Sequence, residues 1–188
     1  MEEKIRAVLE RIEAALEIKE RVIVAIDGRC ASGKTTLAAE ISKRLDCNVF
    51  HMDDFFLRPE QRSEERRNTA GENVDHERFL SEVLIPLSRG EAFSYRPFSC
   101  KTQTLLPPIE VTPKRISVVE GSYACHSSLF EYYDLRVFSN VSSAEQMARI
   151  VARNGKEGAE RFASLWIPLE EKYFERFDVA HSCHIVLE

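Results

Sequence analysis

At 188 residues, with 44% hydrophobic and 30% charged side chains, the chain predicts one globular domain long enough to bury a core. A formal net charge of −5 leaves no global positive field for polyanions, so a nucleic-acid partner is not expected. The acidic start Met1-Glu2-Glu3-Lys4 lacks the apolar core of a secretory signal and no apolar run would span a bilayer, which predicts a cytoplasmic protein without a membrane partner.

Ile5, Val8, Leu9, Ile12 and Leu16 recur at helical spacing, so residues 3–20 predict an amphipathic helix docked on the rest of the protein. Val22–Asp27 is short, apolar and β-branched, and predicts a buried strand. Directly after it comes Gly28-Arg29-Cys30-Ala31-Ser32-Gly33-Lys34-Thr35, spaced as G-x-x-x-x-G-K-[ST]. From Thr36 onward, Leu37, Ile41 and Leu45 have helical spacing, so the motif lies between a strand and a helix N-terminus. Gly28 and Gly33 permit positive φ, and backbone donors over residues 28–36 can then cradle a di- or triphosphate. Lys34 suits the β- and γ-phosphates and the Thr35 hydroxyl suits Mg²⁺. Of the five cysteines, none forms a C-x-x-C pair, and all read as reduced thiols. Cys30, inside the motif, reads as a small filler, with oxidative blocking of nucleotide binding as the sharper alternative.

A second strand, Asn48–Met52, ends at Asp53-Asp54. Residues 57–76 are polar and loop-like, a length that predicts a functional flap or a mobile excursion. Phe79, Leu80, Val83, Leu84 and Leu87 predict a helix over 77–88, with Pro86 cutting its end. Residues 93–112 alternate and carry Pro97, Pro107 and Pro108, which predicts an irregular hairpin. Ile116–Glu120, closed by Gly121, and Leu135–Phe138 predict two more buried strands. A long helical stretch from about Ser143 to about Phe174 and a last strand, His184–Leu187, complete the chain. Strands separated by helices imply an α/β fold with a parallel sheet covered on both faces. Ligands of such sheets collect beyond the carboxyl ends of the strands, where the motif, Asp53 and Glu120 all fall. A carboxylate that orients an attacking hydroxyl and an acid that holds hydrated Mg²⁺ are what a kinase of small alcohols needs; Asp53 suits the first task and Glu120 the second.

Taken together, the phosphate-binding loop, Met52-Asp53-Asp54-Phe55-Phe56, Asp75-His76, Val118-Val119-Glu120-Gly121 and an arginine-bearing helix resemble the uridine kinase and nicotinamide riboside kinase group of P-loop kinases. The resemblance runs from about residue 22 to residue 187 in the same order. It implies a single P-loop kinase domain over 1–188: a three-layer sandwich on a five-stranded parallel sheet, with acceptor-side excursions at 57–76 and 93–112 and a helical lid at 143–165. It implies ATP and Mg²⁺ as donor and cofactor, Asp53 as catalytic base, Asp75 on ribose hydroxyls and Glu120 at the metal. It places Arg149 and Arg153, four apart on one helix face, over the transferring phosphoryl group, with Arg161 a weaker candidate. Phe55, His76, Tyr95 and Tyr123, with Phe56 and His126 beside them, are candidates for the acceptor side. Members of the group are often oligomeric. Where uridine kinases carry a histidine and an arginine after their tyrosine, this chain has Cys100 and Thr102 after Tyr95. The resemblance implies a nucleoside acceptor and Cys100 and Thr102 count against pyrimidine recognition, so pantothenate, a sugar phosphate or another vitamin-like alcohol is the alternative, and a nucleotide-binding regulator a third.

Overall fold

The strands predicted from apolar runs assemble into one sheet in the computed structural model, which describes residues 2–188. The chain begins with helix α1 (Glu2–Leu16), strand β1 (Val22–Gly28), helix α2 (Lys34–Arg44) and strand β2 (Cys47–His51). Helices α3 (Glu64–Asn68), α4 (His76–Phe79) and α5 (Ile85–Arg89) follow, the last two joined by a π-helical turn over Leu80–Leu84. Residues 93–111 form short strands β3 (Phe93–Tyr95), β4 (Phe98–Ser99), β5 (Thr104–Leu105) and β6 (Ile109–Val111), paired antiparallel in two tiers, β3 with β6 and β4 with β5. Then come β7 (Ile116–Glu120), β8 (Leu135–Ser139), α6 (Ser143–Arg161), α7 (Ile167–Phe177), α8 (Val179–Ser182) and β9 (Ile185–Leu187).

The sheet has the order β2-β7-β1-β8-β9, with every pairing parallel. Both faces of β1 are buried, which is why it reads as an unbroken apolar run. Val22, Val24 and Ile26 pack against Ile5, Val8 and Ile12 of α1 and Leu37 and Ile41 of α2. Ile23 and Ala25 face the opposite layer, built from Phe50, Phe79, Leu84, Leu129 and Tyr173. The register sets Glu120 beside Ile26 of β1 and beside His51 of β2. Strands β2 and β7 thus end level, β1 runs two residues further, and the three carboxyl ends share one rim.

Several expected boundaries move. Helix α1 stops at Leu16 instead of reaching residue 20, and Ile18 beyond it is exposed, with no apolar surface to dock on. The polar stretch 57–76 is more ordered than a loop: Ser63 caps α3, and Phe56 bridges Val74. Pro86 does not cut its helix. The π-helical turn before it leaves Pro86 in the first turn of α5, where a missing N–H costs nothing, and the helix instead ends at Gly90 with φ +68°. The same device recurs at Pro168, which follows a π-helical turn over Phe162–Trp166. The long helix expected to reach Phe174 is therefore two helices, and α6 is itself kinked at Gly155 (φ 71°, ψ 178°).

Candidate active site

At the end of β1 the backbone of Gly28 lies against β8 so closely that a Cβ would sit 2.1 Å from the Ser139 carbonyl oxygen, and its φ is +129°. The loop then turns through Ala31 (φ 59°) and Gly33 (φ 98°) into α2, whose N-terminus no side chain caps. The first-turn N–H groups of α2 are left to a ligand, with the positive end of the helix behind them. Ser32 adds a buried hydroxyl that has no hydrogen-bond partner. Lys34 folds back into the loop, donating to the carbonyls of Gly28 at 2.6 Å and Arg29 at 2.9 Å. Free donors, an orphaned hydroxyl and one buried ammonium fit a polyphosphate.

The first half of the loop is held from outside. Glu170 of α7 accepts from the Cys30 N–H at 3.0 Å and from the Ser122 hydroxyl at 2.6 Å, and the Arg29 guanidinium forks onto Glu171. The Cys30 thiol accepts from the Gln146 amide and is pushed up to about 12, first by burial and then by the Glu170 charge. A thiol held protonated in this way suits the filler reading. Behind the loop, fully buried Asp27 accepts from the Gly28 N–H (2.6 Å), the Cys125 N–H (2.8 Å) and the Tyr173 hydroxyl (2.9 Å). Burial lifts its carboxyl to about 6, against the pull of Lys34 and of those hydrogen bonds.

Across the rim, the Thr35 hydroxyl lies 3.1 Å from a Glu120 carboxylate oxygen, and His51 Nδ1 lies 2.5 Å from the other. The hydrogen bond to Glu120 holds the His51 imidazole above its usual range. Thr35 and Glu120 form a pair of hard oxygen donors, which suits Mg²⁺. Asp53 projects from the Met52–Phe55 turn, its residue surface exposed while its carboxyl is crowded by Glu120, Lys34 and His51. Its carboxyl is raised by desolvation and then by the Glu120 charge, while Lys34, His51 and Arg153 oppose the rise. The loop, both acids and Arg153 of the lid therefore lie within electrostatic reach of one another.

Arg149 reaches the loop directly, donating to the Ala31 carbonyl at 3.0 Å, while Arg153 lies over the Phe162 ring. On the acceptor side, Asp75 caps α4 through a bond from the Arg78 N–H, and its second oxygen has no hydrogen-bond partner. His76 stacks on His126 at 4.1 Å, with its Nε2 3.1 Å from Glu72. Phe55 is fully buried between Phe79 and Tyr95, and Tyr123 is buried against Tyr173; Phe56 is the half-exposed member of its pair and meets Trp166.

Comparison with known proteins adds a second, independent line. Over 161 residues the chain is 25% identical to a uridine kinase of Ureaplasma parvum, covering 80% of this chain and 77% of that protein. A uridine kinase of Staphylococcus aureus is 24% identical over 176 residues, 84% of each chain. The chain has the fold of the P-loop kinases and is similar in sequence to uridine kinases over most of its length. No family model matches it. The fold of the kinase superposes on a solved Bacillus stearothermophilus protein, described as a possible uridine kinase, with TM-score 0.70, 20% identity and coverage of 97% and 100%. It also superposes on the YFH7 protein of Saccharomyces cerevisiae, described as a P-loop containing kinase, with TM-score 0.66, 13% identity and coverage of 100% and 98%. These likenesses confirm the α/β P-loop fold. Among the described residues, no helix of the kinase is long and apolar enough to cross a membrane.

Three residues at this site escaped the sequence reading. His51 is the last residue of β2, a strand-end position as informative as that of Asp53 beside it. Asp27, a lone acid closing an apolar strand, carries a signal of the same kind. Glu170 carries none, because its partners lie 140 and 48 residues away.

Proposed function

We propose that the kinase transfers the γ-phosphoryl group of Mg-ATP to a hydroxyl of a small acceptor. The observation that carries this is a convergence: free loop donors and Lys34 beside Glu120 and Asp53, with Arg149 at the loop itself. In this reading the loop N–H groups and Lys34 bind the triphosphate. Mg²⁺, held by Thr35 and Glu120, supplies positive charge to the phosphates. Asp53 accepts the proton of the attacking hydroxyl. Arg149 and Arg153 offset charge on the transferring group, and Asp75 orients the acceptor.

The uridine kinases among its relatives support a nucleoside acceptor. A different small alcohol is the second reading, favoured by Cys100 and Thr102 after Tyr95. Asp53→Asn tests the chemistry: acceptor-dependent ADP release should fall by about 10²–10⁴-fold, the usual worth of a general base, with Mg-ATP affinity retained. Normal turnover in the variant would remove Asp53 from the mechanism.

A further inference from the structure

The kinase is acidic overall, yet three arginines gather beside one cleft on its acceptor side. A cleft of about 340 Å³ opens between the 58–60 turn and the β4–β5 tier, lined by Arg58, Glu60, Arg96, Phe98 and Thr104 among others. Arg62 adds a third guanidinium, 5.8 Å over the Phe98 ring.

What holds these side chains matters. Arg96 donates to the Leu106 carbonyl at 2.7 Å and the Leu105 carbonyl at 3.0 Å. Arg62 donates twice to the Leu57 carbonyl, at 3.0 and 2.8 Å. Carbonyls orient a guanidinium without cancelling its charge. The ion pairs here belong to Arg58, 3.3 Å from Glu60 and 3.7 Å from Asp75; among the described residues none involves Arg62 or Arg96. The cleft thus carries surplus positive charge in fixed forks, the donor geometry that matches phosphate and carboxylate oxygens in pairs.

The cleft is also wired to the reacting end. Strand β4 packs on the Met52–Phe55 turn that bears Asp53. The Arg78 guanidinium bridges the two, donating to the Arg96 carbonyl at 2.8 Å and the Asp54 carbonyl at 3.1 Å. Asp75, beside Arg58, is tied to the same turn through its N–H and the Phe55 carbonyl at 2.7 Å.

We infer that the acceptor is an anion: a small alcohol that carries a phosphate or carboxylate group besides the hydroxyl it offers to Asp53, with that group docked on Arg58 and Arg96 in the field of Arg62. The inference rests on the phosphotransferase reading above and chooses within it. An uncharged nucleoside would leave Arg62 and Arg96 without a counter-charge.

Two measurements test this. ADP release at saturating Mg-ATP is compared for uridine against uridine 3′-monophosphate, which keeps the 5′-hydroxyl free, and for glycerol against glycerol 3-phosphate and glycerate; the last pair separates phosphate from carboxylate. The anionic member should be preferred, and better turnover of the neutral member overturns the inference. Independently of turnover, inorganic phosphate is titrated into the kinase saturated with Mg²⁺ and a non-hydrolysable ATP analogue, following the backbone amides of residues 96–104. Phosphate should shift those amides, and Arg96→Gln and, separately, Arg62→Gln should each weaken that binding by about tenfold, the equivalent of about 1.4 kcal/mol. Absent shifts, or equal affinity in wild type and both variants, overturn the anion site. If the analogue itself fails to bind, the phosphotransferase reading falls instead, and phosphate titration of the free kinase still decides the anion site.

Discussion

Removing the Glu170 side chain probes how the phosphate loop is held. Glu170 is 4% exposed and accepts one bond from the Cys30 N–H and one from the Ser122 hydroxyl. In Glu170→Ala the buried N–H loses its partner, which costs about 1–3 kcal/mol, and the charged hydrogen bond from Ser122 is worth about as much again. A net loss of about 3 kcal/mol lowers the melting temperature by about 6–12 °C in a protein of this size. Glu171→Ala is the control: its side chain is 37% exposed and pairs with Arg29, so its removal costs about 0–1 kcal/mol. A second readout follows from the thiol, because the Glu170 charge helps to hold the Cys30 proton. Alkylation of Cys30 at alkaline pH should therefore speed up in Glu170→Ala and not in Glu171→Ala. Thermal melts in which the two variants are equally stable would refute the reasoning, as would unchanged Cys30 reactivity.

Gly28→Ala should destabilise the kinase by more than about 3 kcal/mol, because a Cβ there meets the Ser139 backbone and φ is positive; chemical denaturation matching wild type would contradict this. Burial holds His126 down at about 4, so acid protonates the unfolded state first; its contribution is intact above pH 6.5 and lost as pH falls to about 4, worth about 3 kcal/mol. Asp27, raised to about 6, works the other way, favouring the folded state by about 3 kcal/mol as pH falls from about 6 toward its unfolded value near 3.8. Asp27→Asn should therefore show a steeper loss of stability than wild type between pH 6 and 4 in urea titrations, and His126→Phe a shallower one; parallel profiles would exclude both assignments.

Much of the frame was legible because its signals are local. A strand buried on both faces writes an apolar run, as in Val22–Ile26, and the phosphate loop announces itself by spacing and by its place between strand and helix. The ends of β2 and β7 could be read for the same reason, which brought Asp53 and Glu120 to one rim before their coordinates were known. What failed depends on tertiary contacts. Pro86 signals a helix end in isolation, and only the π-helical turn before it makes the proline harmless. Phe55 and Phe56 are neighbours of one residue type, and the packing of Phe79 and Tyr95 decides which is core. The arginines of the acceptor cleft come from two excursions that sequence order keeps apart.

The central claim is that the β1–α2 turn and the acids of the neighbouring strand ends form one nucleotide site. Calorimetric titration of Mg-ATP into wild type, Lys34→Ala and Glu120→Gln tests it most directly. Wild type should bind, Lys34→Ala should lose about tenfold or more in affinity, and Glu120→Gln should lose the Mg²⁺ dependence of binding. Equal affinity in all three proteins, or no binding by wild type, would contradict the account.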